Sequence, residues 1–156
     1  MFQDARDYQI CFLSLFLTLG LCTKDWTLRP EIIVSAIATC LIVQTLASTI
    51  QTQILDSINP PWTASLRSAL ITGLSLSLLL RTDHWLTMSF AAAIAILSKF
   101  LIRVKEKHLF NPSNAGVIAA LVLTQDAWVS PGQWGELGWY AFLFVGAGGI
   151  VLQRVG

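Results

Sequence analysis

Asn111, Ser113 and Asn114 stand close together, with His108 and Phe110 just before them. The carboxamides of Asn111 and Asn114 can donate and accept hydrogen bonds along the edge of a planar heterocycle. Phe110 offers a face on which such a ring can stack. The plainer reading is a turn, since Asn and Ser readily bond to their own backbone and an Asx cap needs no ligand. Pro112 fixes its own φ and drives Asn111 to an extended conformation. Asn114 is then placed to cap a helix that begins at Ala115, its side-chain oxygen accepting an orphan N–H. His108 also has a plain reading, as an interfacial polar residue rather than a ligand to a ring or to the metal of a pigment.

These residues close a basic stretch containing Arg103, Lys105 and Lys107, and apolar segments lie on both sides of it. The pattern predicts a broken or re-entrant entry into a membrane, with amides at its mouth and the positive end of a helix behind them. H-L-F-N-P-S-N-A-G, followed by an apolar run and then T-Q-D-A-W-V-S-P, resembles the membrane D subunit of Rnf electron-transport complexes. It is similar too to the B subunit of the sodium-pumping NADH:quinone reductase, the RnfD/NqrB type. The matching positions are Lys107, His108, Phe110, Asn111, Pro112, Ser113 and Gly116.

The resemblance implies a multi-pass membrane subunit of an electron-transfer complex, with about twice as many spans built as two inverted halves. It implies a non-covalent flavin, riboflavin or FMN, near the asparagine motif, so His108, Phe110, Asn111 and Asn114 are the candidate cofactor-binding residues. The family also anchors a flavin covalently on the threonine of S-G-A-T. No such motif occurs here, and Ser35-Ala36-Ile37-Ala38-Thr39 does not match it. No catalytic residue or metal ligand is assigned.

Composition supports the membrane reading. Hydrophobic residues make up 54% of the 156-residue chain and charged ones 12%, against about 25% charged in soluble domains. The alternative is an unusually apolar soluble bundle. A net charge of +1 argues against nucleic acid as a partner. Cys11, Cys22 and Cys40 show no metal or redox spacing and read as buried small apolar residues. The chain lacks a Ser-His-Asp pattern, a phosphate-binding glycine loop and a paired carboxylate site, and no signal-peptide cleavage site follows its first apolar run.

Six apolar segments are expected. The first covers residues 8–21, short for the roughly 20 residues of a straight span. The second opens at Pro30 and Glu31 and reaches Ile50. After the Pro60-Pro61-Trp62 corner, Thr63 or Ser65 is placed to cap the third, which carries Arg67 and ends at Leu80. Arg81 to Trp85 reads as a tight polar turn. The fourth covers residues 86–102 and is rich in Ala91, Ala92, Ala93, Ala95 and Ser98, a face for close packing in lipid. Lys99 in it is one turn before Arg103, so snorkelling explains it. The fifth, 115–123, is too short to span alone. Asp126 at its far end either faces a pore or marks the interface beside Trp128. A loop covers 128–138, and the last segment, 139–155, holds Gly146, Gly148 and Gly149.

With alternating segments, Arg6, Arg67, Arg103, Lys105, Lys107 and Arg154 fall on one side, and Lys24, Arg29 and Arg81 on the other. The positive-inside bias puts the N-terminus and the loop 103–107 in the cytoplasm. The expected fold is therefore an all-α polytopic membrane protein with five to six segments and one broken helix, residues 1–156 forming a single domain or one half of an inverted-repeat fold. The leading function is the electron-transfer subunit. A channel or transporter-like module and a non-catalytic accessory subunit packing against a larger membrane complex stay open. The expected partners are the lipid bilayer and other membrane subunits.

Overall fold

The computed structural model describes residues 4–22, 28–55, 62–104, 107–108, 110–130, 145–146 and 149. They are mostly helical, in the order α1 (Ala5–Cys22), α2 (Pro30–Leu55), α3 (Trp62–Leu79), α4 (Trp85–Leu101) and α5 (Pro112–Leu123). Two short antiparallel ladders join them. β1 (Leu80–Thr82) pairs with β4 (Ala127–Val129), and β2 (Arg103–Val104) pairs with β3 (Lys107–His108). The expectations for Lys24, Lys105 and Arg154, and for nearly all of the segment 139–155, lie outside the described residues.

Charge pairing orders the helix ends. Arg67 at the start of α3 holds Asp7 at the start of α1 in a two-pronged contact, Nε–Oδ1 2.6 Å and Nη2–Oδ2 3.2 Å. Asp4 lies 3.8 Å from the same guanidinium. At the opposite end, Arg29 before α2 donates to the backbone carbonyl of Asp83 before α4. Thr87 in the first turn of α4 donates to Asp126 beyond α5. So α1 and α3 start at one end and α2 and α4 at the other.

The core lies where small residues let helices approach. Ile32, Ala36 and Cys40 follow one another at i, i+4 on α2 and meet Ala69 and Leu76 of α3 and Met88, Ala92 and Ile96 of α4. A Cβ placed on Gly73 would stand 3.0 Å from Ile37 Cα, so α3 rides directly on the backbone of α2. A Cβ on Gly116 would stand 2.5 Å from Ala91 O and 2.9 Å from Ala95 Cβ. The alanine face expected on the fourth segment is thus the seat of α5. Of the cysteines only Cys40 is buried, and Cys11 and Cys22 are exposed, because they fall on the outward side of α1 and its last turn.

Three expectations are corrected. Arg81 is in a strand rather than a polar turn, and it is 2% exposed. Its guanidinium donates to Ser77 O at 2.7 Å and to Leu78 O and Leu80 O at 3.2 Å. It thereby satisfies carbonyls that the end of α3 leaves without partners, at the negative pole of the helix. Neither Thr63 nor Ser65 caps α3, which already starts at Trp62. Trp128 and Val129 belong to β4 rather than a loop. One described helix, Pro30–Gln53, is long and apolar enough to cross a membrane, with mean hydropathy 1.9. The other apolar helices, Ser65–Leu79, Trp85–Leu101 and Pro112–Leu123, are shorter.

Replacing Gly116 by valine forces α5 away from α4. Overpacking of this kind costs about 1–3 kcal/mol. Thermal unfolding of the purified protein should occur at lower temperature for Gly116→Val than for the wild type. Gly146→Ala, where a Cβ meets nothing within 4 Å, should leave it unchanged. Equal melting of all three proteins would show that the close approach is not needed.

Candidate functional site

The break between α4 and α5 falls where proline demands it. α4 ends at Leu101, and Asn111 has φ −61° and ψ 122°, extended as a residue before proline must be. The cap is one turn earlier than expected. Asn111, not Asn114, caps α5, its Oδ1 accepting from Ser113 N–H at 3.1 Å, while Ala115 N–H reaches Asn111 O at 3.1 Å. The helix starts at Pro112 because that residue has no N–H to leave unpaired at the first helical position. Asn114 thus falls inside the first turn, and it is exposed.

This start places Asn111, Pro112 and Ser113 against α1 and α3. Together with Arg6, Gln9, Ser68, Ile71, Thr72 and Ser75 they line a cleft of about 220 Å³. The α3 residues Ser68, Thr72 and Ser75 recur at i, i+4, i+7, so they form one hydroxyl stripe along the helix. Arg6 and Gln9 sit one turn apart on α1. Thr72 Oγ1 donates to Ser68 O at 2.9 Å. Behind this wall, Lys99 of α4 extends its Nζ to Ser68 O at 3.3 Å and Ser68 Oγ at 3.2 Å. Lys99 therefore points inward between helices, where snorkelling would have taken it out to the headgroups.

Of the three expected cofactor residues whose side chains are described, Asn111 lines this cleft. Phe110 is 54% exposed and outside it. Asn114 is outside it too. The backbone of His108 pairs with Arg103 in the β2–β3 ladder, and its side chain lies outside the described residues. Arg6, Gln9, Ser68, Thr72 and Ser75 were not singled out from the sequence. The signal that could have found them is the spacing of the three hydroxyls in an otherwise apolar segment, since hydroxyls repeating on one helix face inside an apolar run share a side.

Among the described residues, no group of three or more metal-ligating side chains occurs. The donor set of the cleft is hydroxyl, carboxamide and guanidinium, which suits a hydrogen-bond acceptor on the ligand. Its volume is below the roughly 300 Å³ at which pockets for drug-sized molecules begin. The described residues therefore fit the polar edge of a ring or a smaller solute, and do not by themselves enclose a flavin.

Asp126 is at the other end of the molecule and faces no part of the cleft. Partial burial works against its ionisation. Hydrogen bonds from Thr87, the backbone amides of Asp126 and His84, and Thr124 outweigh that burial and hold the carboxyl below the usual aspartate range. Such a group contributes stability that is fully present above its unfolded pKa, about 3.9, and that is lost as pH falls through the folded value. Asp126→Asn should therefore flatten the loss of thermal stability on acidification below about pH 4. An acid limb of unchanged steepness in melting curves would remove Asp126 from the account.

No protein-family model, curated protein or solved structure matches the chain.

Proposed function

We propose that the chain is a bilayer-embedded module of an electron-transfer complex of the RnfD/NqrB type, with the cleft at the α5 break as its ligand site. The observation that carries this reading is the coincidence of the F-N-P-x-x-x-G residues with a working device. Asn111 and Pro112 start a helix beside a polar cleft, and Gly116 seats that helix against Ala91. Inverted-repeat membrane proteins place ligands where helices break.

Embedding in lipid is supported by the outer surface of α2. Only 28% of its apolar span is buried, and Val34, Ile42, Leu46 and Ile50 lie more than half exposed along one broad side. Such a side is costly in water and at home in hydrocarbon. The 12 residues of α5 rise only about 18 Å, short of the ~30 Å hydrocarbon core, which suits a half-span entering from the basic end. The N-terminus and the loop containing Arg103, Lys105 and Lys107 are placed in the cytoplasm by the positive-inside rule. A single cysteine at position 105 should react with a membrane-impermeant reagent only from the cytoplasmic face, and labelling from the outer face alone would invert the topology.

In the family reading the ligand is a non-covalent flavin whose polar edge enters the cleft at Asn111. When bound, it would supply one-electron chemistry, and this chain's residues would orient it. The small cleft volume favours a second reading, a transporter-like module holding a small solute at the same place. Absorbance and mass spectra of the purified protein decide between them. Asn111→Leu removes both the cap and the amide, whereas Asn111→Ser keeps a good cap and removes only the amide. If the amide binds the ring, both variants should lose flavin by roughly tenfold, the equivalent of 1.4 kcal/mol. If Asn111 only caps, the serine variant should retain full occupancy. A colourless wild type rejects the flavin.

A further inference from the structure

Lys99 carries a charge that no carboxylate offsets among the described residues. The ion pairs found there join Arg29 to Glu31, and Arg67 to Asp4 and Asp7. Lys99 Nζ instead rests on Ser68 O and Ser68 Oγ, both neutral. An ionisable residue directed into the interior of an apolar helix group usually has a counter-charge, and it tends to mark the path of an ion or substrate.

Ser68 faces two ways. Its Oγ accepts from the lysine, and its carbonyl oxygen accepts from both Lys99 and Thr72. Its own hydroxyl proton has no acceptor among the described residues, and Ser68 lines the cleft. An ammonium on the oxygen leaves the hydroxyl as a donor and strengthens it, because hydrogen bonds in a chain polarise one another. Arg6 on the facing wall can only donate. No carboxylate among the described residues lines the cleft, and Asp7 and Asp4, the nearest acids along α1, are drawn to Arg67.

We propose that the cleft binds an anionic oxygen of the phosphate class, held by the Ser68 hydroxyl, with Lys99 behind it as counter-charge and Arg6 at the rim. The inference rests on the cleft being the ligand site and adds the charge of what enters it. A free phosphate and a lipid phosphodiester share this chemistry. The ligand then supplies a counter-charge to Lys99, which explains an inward lysine with no acid beside it among the described residues.

The test uses the full chain in a neutral maltoside detergent, with inorganic phosphate as probe and phosphorus NMR line broadening as readout. Wild type should show saturable binding. Ser68→Ala and Lys99→Met should each weaken it about tenfold, which equals 1.4 kcal/mol. Ser68→Thr, which keeps the hydroxyl, should bind as wild type, so a general folding defect at this position is distinguishable from loss of the donor. Adding phosphatidylglycerol to the lipid-free maltoside micelles separates the two sources. Phosphate binding suppressed by phosphatidylglycerol, and restored without it, identifies a lipid headgroup, and binding indifferent to it identifies the free anion. Equal affinity of wild type and Ser68→Ala, or no saturable phosphate binding of wild type in lipid-free maltoside, overturns the proposal. A colourless protein that binds phosphate through Ser68 ends the flavin reading and leaves this one standing. A flavin-bearing protein blind to phosphate does the reverse.

Discussion

α5 meets α4 without a side chain between them. Gly116 sits where any Cβ would press into the carbonyl oxygen of Ala91, and Ala95 completes the seat. A contact of this kind between small residues rests on close backbone approach and van der Waals packing. The depth of that approach sets where the first turn of α5 lies. Because Asn111, Pro112 and Ser113 are that first turn, it also sets the width of the cleft they share with α1 and α3. A helix held further out would open the cleft to solvent and separate Asn111 from the hydroxyl stripe of α3.

Charges are used sparingly, and several of the described ones have a task at an end of a helix. Arg67 ties α3 to α1 through Asp7. Arg81, almost fully buried, closes the far end of α3 by donating to its last carbonyls. Asp126 holds the start of α4 through Thr87. In a chain with 12% charged residues, these contacts fix which ends lie together, while the apolar faces between them are interchangeable in chemistry and differ only in shape. Lys99 departs from this pattern, since it sits in the interior and leans on a serine.

The hydroxyl stripe of Ser68, Thr72 and Ser75 shows how an apolar helix can carry a polar wall cheaply. Thr72 turns its proton back onto the carbonyl of Ser68, so part of the stripe is satisfied within its own helix. Ser68 is different because an ammonium already occupies its oxygen.

Among the described residues, the five helices, their limits to within about five residues, and the interruption between α4 and α5 were legible in the sequence. Apolar runs, Pro30 and Pro112 act locally, through hydropathy and through the geometry of the proline ring, and local effects are legible one segment at a time. It also marked Ala91 and Ala95 as a packing face and Asn111 as a polar residue at a helix mouth. The cap at Asn111 rather than Asn114 also has a local cause, since Pro112 has no N–H to leave unpaired and suits the first helical position. Tertiary structure alone turned Arg81 from a surface turn into a buried cap, because β4 pairs across β1 from a distant part of the chain. It turned Lys99 inward onto Ser68, and it assembled a cleft from three helices. Those outcomes depend on which faces meet, and a hydropathy pattern records that a face is apolar without recording what it will touch.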